Sequence, residues 1–361
     1  MDNKSKIIKK KLKEIGFDLI GFTKPELDQT LINNFKSRYE DNDLPPFVHH
    51  DSKSILNPKN LAPFVKTVIV LGLSYNWDNN DNDADGYISY YSRGEDYHKV
   101  FKRKFNKAVA ILDNFYDDLK YEYFVDNAPV LEKVFAQQAG LGWIGKNTLL
   151  INEKYGSYIF LGEIFINKEL EIDTKKENKC GSCTVCIDNC PTGSLNTPYY
   201  LNYRTCRSNL TQVKGKLNEK QEKLIGNSIW GCDKCQDLCP YNQDIPKNIH
   251  KELKPKIKGN ITKILNYNRK SFPDLWLNTA LSWRGMRTIQ RNALISLINI
   301  DKKEEKYKKV LIKKLKDNSP IIRYYAYKAY IALNFNLENI KEIIKHEKEI
   351  ELENILNKEV K

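Results

Sequence analysis

The residues with the clearest chemical content are eight cysteines, all between positions 180 and 239. Four lie in the run CGSCTVCIDNCP, where Cys180, Cys183, Cys186 and Cys190 have the spacing C-x2-C-x2-C-x3-C-P. Cys232, Cys235 and Cys239 repeat the C-x2-C and C-x3-C-P spacings, and Cys206 lies between the two runs. Thiolates at this spacing hold 4Fe–4S clusters, and the last cysteine of such a run ligates the other cluster of a pair. Two clusters need eight thiolates. By the crossover rule Cys180, Cys183 and Cys186 take Cys239 as their fourth ligand, and Cys190 joins Cys206, Cys232 and Cys235. The competing readings are two four-cysteine zinc sites and a disulfide framework. Zinc sites use C-x2-C pairs, but they need neither three thiols on one turn nor a proline after each run. Disulfides are disfavoured because nothing in the chain points to secretion. Two clusters by themselves give one-electron transfer.

A second group of residues could move protons. Asp126 follows a short apolar strand and begins DNAPVLEK. A partly desolvated carboxyl at a strand end could keep a proton near neutral pH and act as a general acid. It could equally cap a helix opened by Pro129, and on the residues alone the cap is the better-supported reading. Arg93, Tyr97 and His98 form a further polar cluster in SRGEDYHKV.

The elements that must position these groups read as alternating strand and helix. Helices are expected over 4–15, about 26–40, 96–120 and 129–139. Strands are expected at Asp18–Phe22, Thr67–Tyr75, Tyr121–Val125 and Ser157–Ile166. The alternation indicates an α/β domain over 1–170. A loop at Pro45 and Pro46 follows the second helix. Gly140, Gly142 and Gly145 match G-x-G-x-x-G, but a helix precedes them where the dinucleotide fingerprint needs a strand. Asp81, Asp83, Asp85, Gly86 and Ile88 sit at calcium-loop positions, yet Ser92 stands where a bidentate Glu is required. The segment is expected to be a solvated acidic hairpin loop. The cysteines occupy a ferredoxin-like two-cluster module over 171–245, and 246–361 is all-helical. There Ile322, Ala326 and Ala329 repeat Ile289, Ala293 and Ser296 at an interval of 33 residues, the pattern of HEAT-like repeats.

Charge is segregated. The net charge is +13, and residues 241–361 hold 26 Lys/Arg against 14 Asp/Glu. A basic helical domain points to a polyanion, nucleic acid first. Arg284, Arg287, Arg291, Arg323 and Lys328 are its expected exposed cations, with Lys214 and Lys216 nearer the clusters. The N-terminal stretch is charged and amphipathic, without an apolar run ending in a cleavage site, and no segment is long enough to span a bilayer. A cytoplasmic protein without membrane contact is expected.

Taken together, DYHKV, VDNAPVLEK, AGLGWIGKN, YGSYIFLGE, CGSCTVCIDNCPTGSL, GCDKCQDLCP and SWRGMRTIQRNA resemble the epoxyqueuosine reductase family, from about residue 5 to about residue 335. The resemblance implies an α+β or α/β multidomain enzyme that carries cobalamin in its first domain, beside the two 4Fe–4S clusters. It implies reduction of epoxyqueuosine to queuosine in a tRNA anticodon loop, the final step of queuosine biosynthesis. Electrons would pass from the clusters to the corrinoid, and a carboxylic acid would protonate the epoxide oxygen. Asp126 matches the family's proton donor, which reverses the balance against the cap. Tyr97, His98, Lys146, Asn147, Leu150, Gly156, Leu161 and Ser208 match positions near the cobalamin. The acidic insert at 78–86 lies outside the family motifs, and the proline-rich N-terminal segment is matched only in part, by Lys53 to Pro63. A tRNA stem-loop and an unidentified electron donor are the implied partners, and a monomer is expected. The alternative is a dehalogenase-like corrinoid reductase of small molecules, which would have no use for the basic helical domain. A bare electron carrier would not need the first domain, and a zinc-stabilised tRNA-binding protein would be colourless.

Overall fold

The apolar, β-branched run TVIVLGLS becomes a strand buried along all eight residues, and the first unit of the structure is built around it. The structure is a computed structural model that describes residues 2–41, 43–45, 52–78, 81–268, 272, 274–300 and 302–345. Pro46, part of the acidic insert and the last sixteen positions of the expected third domain lie outside the described residues. In chain order the strands are β1 (Leu19–Thr23), β2 (Thr67–Ser74), β3 (Tyr87–Ile88), β4 (Tyr121–Phe124), β5 (Trp143–Ile144), β6 (Leu150–Ile151), β7 (Ile159–Ile166) and β8 (Ser228–Trp230). The helices used below are α1 (Asn3–Glu14), α2 (Tyr97–Asp113), α3 (Glu132–Gln138), α4 (Val185–Asp188), α5 (Arg207–Gln212), α6 (Lys234–Asp237), α7 (Ile261–Asn266), α8 (Met286–Ile300), α9 (Glu305–Lys314) and α10 (Pro320–Ala332). The chain divides into two units: residues 1–78, 94–206 and 233–255, and residues 79–93, 207–232 and 256–361.

In the first unit four strands form a sheet in the order β1-β2-β7-β4, with every pair antiparallel. Strand–helix alternation would have given a parallel sheet, so the fold is α+β here, and the rule that places ligands at the C-terminal ends of parallel strands does not apply to Asp126. Helix α2 covers one face. Its N-cap Asp96 accepts from the His98 N–H, and Val100, Phe101, Phe105, Ala108, Val109 and Leu112 are buried at helical spacing. Phe101 and Phe105 press on Gly162 of β7, where an added Cβ would lie 2.9 Å from both rings. The helix stops at Asp113, short of Lys120, because Asn167 pins the turn into β4: its Oδ1 accepts from the Lys120 N–H and its Nδ2 donates to the Asp118 carbonyl. Helix α3 covers the opposite face, with Phe135, Ala136 and Ala139 packed on Val68, Val70, Leu161 and Phe165. It begins at Glu132 rather than 129, after the non-helical Leu131 at φ −87° and ψ 68°.

In the second unit α8, α9 and α10 pack around one apolar core that includes Trp230, Trp276, Tyr325, Tyr327 and Tyr330. Ile289, Ala293 and Ser296 of α8, with Ile322, Ala326 and Ala329 of α10, are all 0% exposed. Small side chains at these positions let the two helices approach closely. Two buried amides tie the core together. Asn292 Nδ2 donates to the Thr211 and Ile229 carbonyls, and Gln290 Nε2 donates to those of Ile264 and Tyr267.

Three expectations change. Arg291 is not a surface cation: it is 1% exposed. Its guanidinium donates to the Val213, Gly215 and Leu210 carbonyls and to Asn292 Oδ1. Burial lowers its pKa to about 10. Arg291 therefore shapes the loop bearing Lys214 and Lys216 and has no reach to a phosphate. Arg291→Ala should lower stability by about 3 kcal/mol or more, because it strands several buried acceptors, as read by denaturant unfolding. The acidic segment is not a free solvated loop among its described residues. Asp81 pairs with the buried Arg93 at 2.8 Å, and Asp85 accepts from the Ile261 N–H and the Tyr307 hydroxyl. Arg93 also donates to the Ile88 carbonyl, so its guanidinium is committed within the second unit and is not part of a cluster with Tyr97 and His98.

Candidate active site

Asp126 sits one residue beyond Val125, just after β4, with φ 51°. Asp and Asn tolerate this left-handed conformation better than most residues. Asp126 does not cap a helix: the residue before α3 is Leu131, which makes no side-chain cap bond. The Asp126 side chain is exposed. The Tyr97 hydroxyl donates to its Oδ2 at 2.5 Å, and its own N–H donates to Glu132 Oε1. Tyr97 is fixed by stacking on Phe160 at 4.3 Å and 10°, with His98 stacked at 4.2 Å on the ring. The half-buried His98 holds Nδ1 2.8 Å from Asp96 Oδ1. Burial lowers its pKa, but the Asp96 hydrogen bond and charge, with Asp126 beyond, outweigh it and leave the pKa raised. An acid, a phenol and an imidazole thus converge beside a flat aromatic ledge.

The cysteine runs fold alike. Helices α4 and α6 each carry a cysteine at their second position, Cys186 and Cys235, and the preceding residues Thr184 and Asp233 have near-identical dihedrals (φ −125°, ψ 8° and φ −114°, ψ 9°). All eight cysteines are free thiols, Cys183 exposed and Cys239 buried. The structure brings Cys180, Cys183, Cys186 and Cys239 together. Burial raises the Cys186 pKa first, and the neighbouring Cys239, Cys180 and Cys183 raise it further. Trp143, Ile151 and Tyr241 pack around Cys239 and Cys180. Among the described residues no three His, Cys, Asp or Glu side chains converge as one metal ion requires. Cys190 has a different surrounding: burial raises its pKa, but N–H groups of Leu195, Thr192 and Ser194 directed at the sulfur leave it lowered. Cys206 and Cys235 lie in the first unit, and Cys232 is the last residue of its segment of the second.

The positions matched to a corrinoid site divide. Tyr97 and His98 form the ledge beside Asp126. Lys146 Nζ donates to the Gly181 and Cys183 carbonyls, and Asn147 Nδ2 donates to that of Cys235, so these side chains hold the cysteine runs. Gly156, at φ 62°, would place a Cβ 2.0 Å from Asn242 Oδ1, where the second run meets the sheet. Leu150 and Leu161 belong to the core beneath α3. Ser208 lies on α5 in the second unit, where its carbonyl accepts from Thr211 Oγ1 and Gln212 Nε2. The Tyr97 ring is buried and stacked with Phe160 and His98, so the half-buried His98 and the exposed Asp126 are the groups this ledge offers a bound molecule.

Two acidic residues went unassigned in the sequence. Glu132 is the acceptor for the Asp126 N–H. Glu163 lies inside the apolar strand IFLGEIFI, and that acidic interruption was the available signal.

Of the expected cations, Lys214 and Lys216 are exposed, with Lys216 Nζ 3.9 Å above the Tyr324 ring. Arg323 donates to the Asp317 carbonyl, and Lys328 pairs with Glu222. Arg284 and Arg287 line a cavity of about 1130 Å³ with Lys313, Lys314 and Lys316, and Tyr267 and Phe272 supply aromatic faces.

Known proteins resemble this chain over most of its length. Residues 179–242 match the 4Fe–4S double cluster binding domain, and residues 56–127 match the family described as epoxyqueuosine reductase QueG, DUF1730. The epoxyqueuosine reductase of Bacillus cereus is 34% identical over 325 residues, covering 86% of this chain and 84% of the relative. That of Bacillus subtilis is 33% identical over 294 residues, covering 79% and 76%. A crystal structure of epoxyqueuosine reductase with an epoxyqueuosine-modified tRNA-Tyr stem loop superposes with a TM-score of 0.90 at 30% identity, covering 97% of this chain and 96% of the other. The Streptococcus thermophilus enzyme gives 0.86, covering 96% and 95%. The chain belongs to the epoxyqueuosine reductase family.

Proposed function

We propose that this chain reduces epoxyqueuosine in a tRNA anticodon loop to queuosine, with Asp126 as the acid that protonates the epoxide oxygen. The observation that carries the reading is the exposed Asp126 carboxyl, held by Tyr97 beside an aromatic ledge, in the same unit as the Cys180, Cys183, Cys186 and Cys239 set. When bound, two 4Fe–4S clusters and cobalamin would supply electrons one at a time at low potential. The second cluster takes Cys190, Cys206, Cys232 and Cys235. Tyr97 and His98 would hold one face of the corrinoid. The remaining family-matched positions would meet it mainly through backbone.

The residues of the chain handle the proton and the substrate. Opening a C–O bond develops alkoxide charge, which a positioned acid neutralises. The Tyr97 hydroxyl fixes the Asp126 carboxyl in one orientation, and His98, stacked on the Tyr97 ring, lies beside the carboxylate left after proton transfer. The modified base must be splayed out of its loop to reach this acid.

Residues 246–361 form a HEAT-like domain that grips the stem-loop phosphates, alongside domains over 1–170 and 171–245. Arg284, Arg287, Lys313 and Lys316 line the groove, and Lys214, Lys216 and Arg323 are further cations. The protein works in the cytoplasm as a monomer, fed by an electron donor yet to be identified. Replacing Arg287 and Lys316 with Gln should weaken binding of an anticodon stem-loop and flatten its log K against log salt by about one unit for each phosphate no longer held. Fluorescence anisotropy across a salt series measures both. An unchanged slope would move the tRNA surface elsewhere.

A further inference from the structure

The turn after the first cysteine run carries side chains that the proposed function leaves without a task. Pro191 fixes the backbone after Cys190. Gly193, at φ 62°, closes the turn by donating its N–H to the Cys190 carbonyl at 3.1 Å. The turn folds the Leu195, Thr192 and Ser194 amides back onto the Cys190 sulfur. Thr192 Oγ1 lies 3.8 Å from the same sulfur, within hydrogen-bond reach of so large an atom. Behind it, Ser194 Oγ is 2.7 Å from Thr192 Oγ1, and Thr205 Oγ1 is 2.9 Å from Ser194 Oγ. Ser194 is 1% exposed, and its carbonyl accepts from the Asn202 N–H at 2.9 Å. The middle of the chain is therefore shielded from water and fixed in place.

The groups directed at the Cys190 sulfur are N–H and O–H donors. Such surroundings suit a thiolate bound to iron. That sulfur carries no proton, so the Thr192 hydroxyl donates to it. A hydroxyl has one proton to give, so Thr192 accepts from Ser194, and Ser194 accepts from Thr205. Thr205 has a second acceptor, the Asn202 carbonyl, but at the longer distance of 3.5 Å. The result is a line of dipoles pointing at the sulfur, each bond strengthening the next.

The second cysteine run gives an internal contrast. It makes the same turn, with the Asn242 N–H donating to the Cys239 carbonyl at 2.9 Å. Yet Tyr241, at the position of Thr192, donates its hydroxyl to the Lys179 carbonyl. Asn242 commits its amide nitrogen to Ser157 Oγ and the Gln236 carbonyl. Neither side chain is directed at Cys239, which instead packs with Trp143 and Ile151.

Reducing a cluster adds negative charge that its cysteine sulfurs share. Donors aimed at a sulfur stabilise the reduced form more than the oxidised form, and so raise the potential. We propose that Thr192, Ser194 and Thr205 form a hydroxyl chain that raises the reduction potential of the cluster held by Cys190, letting a milder one-electron donor charge it. The three side chains act through the cluster and do not touch the substrate. This inference rests on the reading that Cys190 ligates a 4Fe–4S cluster, and it holds whatever molecule the electrons finally reduce.

The test is a redox titration of the cluster-reconstituted, full-length protein without substrate, followed by electron paramagnetic resonance. Cys186→Ser, which spares the Cys190 cluster, identifies that cluster's signal. In Thr192→Val the signal should titrate at a more negative potential. At the wild-type midpoint its reduced-to-oxidised ratio should fall about fivefold, the scale of one net hydrogen bond. The other cluster's midpoint should not move, and Thr192→Ser should restore the wild-type value. Ser194→Ala keeps the Thr192 bond and cuts the chain behind it, so it should shift the midpoint the same way by less. It also decides the matter if Thr192→Val loses iron. Wild-type midpoints in the iron-replete variants, or equal shifts of both clusters, would overturn the chain's role, while wild-type turnover of epoxyqueuosine still upheld the proposed function. Wild type that leaves the epoxide intact while the Thr192→Val shift is present would uphold the chain and overturn the assigned reaction.

Discussion

Asp126→Asn lowers single-turnover epoxide reduction by about 10²–10⁴-fold, the range lost with a general acid, while cluster content and stem-loop affinity stay at wild-type values. The substitution isolates the chemistry for structural reasons. Asn tolerates the φ of 51° as Asp does, and its amide oxygen still accepts from the Tyr97 hydroxyl. The loop therefore keeps its shape and only the transferable proton is gone. Rapid-quench nucleoside analysis gives the rate, and iron analysis with anisotropy gives the controls. Turnover within tenfold of wild type would place the acid elsewhere.

The second large effect belongs to the cysteines. Cys186→Ser should halve the iron content and reduce turnover to background, because Cys186 stands among Cys180, Cys183 and Cys239 and no spare thiol lies in that set. Cys190→Ser should also halve the iron, but at the other cluster. The pair of variants thus tests the crossover that places Cys239 with the first run and Cys190 with the second. Electron paramagnetic resonance of the reduced proteins distinguishes the surviving clusters. Loss of both clusters from either variant would mean that the two sites do not assemble independently.

Much of the site was legible because spacing encodes it. The repeated C-x3-C-P runs fold into short helices of matching geometry, since ligand spacing on one helical turn leaves little freedom. The buried strands β2 and β7 were legible as unbroken apolar runs. Strand direction was not, because alternation of elements does not fix which neighbour a strand pairs with. Hence the sheet of the domain read as α/β is antiparallel. Arg291 misled for a related reason: its place in an arginine-rich stretch suggested surface, while the Val213 and Gly215 carbonyls that bury it lie 78 and 76 residues away. The burial of Glu163 was not legible from its strand alone, because the apolar row it occupies is assembled from β2, β4 and β7.

The central claim is that this chain removes the epoxide oxygen from a hypermodified tRNA base. The direct measurement is nucleoside analysis by mass spectrometry of epoxyqueuosine-containing tRNA after anaerobic incubation with the cobalamin-loaded, cluster-reconstituted protein and a low-potential reductant. The account predicts conversion to a nucleoside lighter by one oxygen that coelutes with queuosine, dependent on Asp126. Unchanged epoxyqueuosine with intact clusters, bound cobalamin and bound tRNA would contradict it.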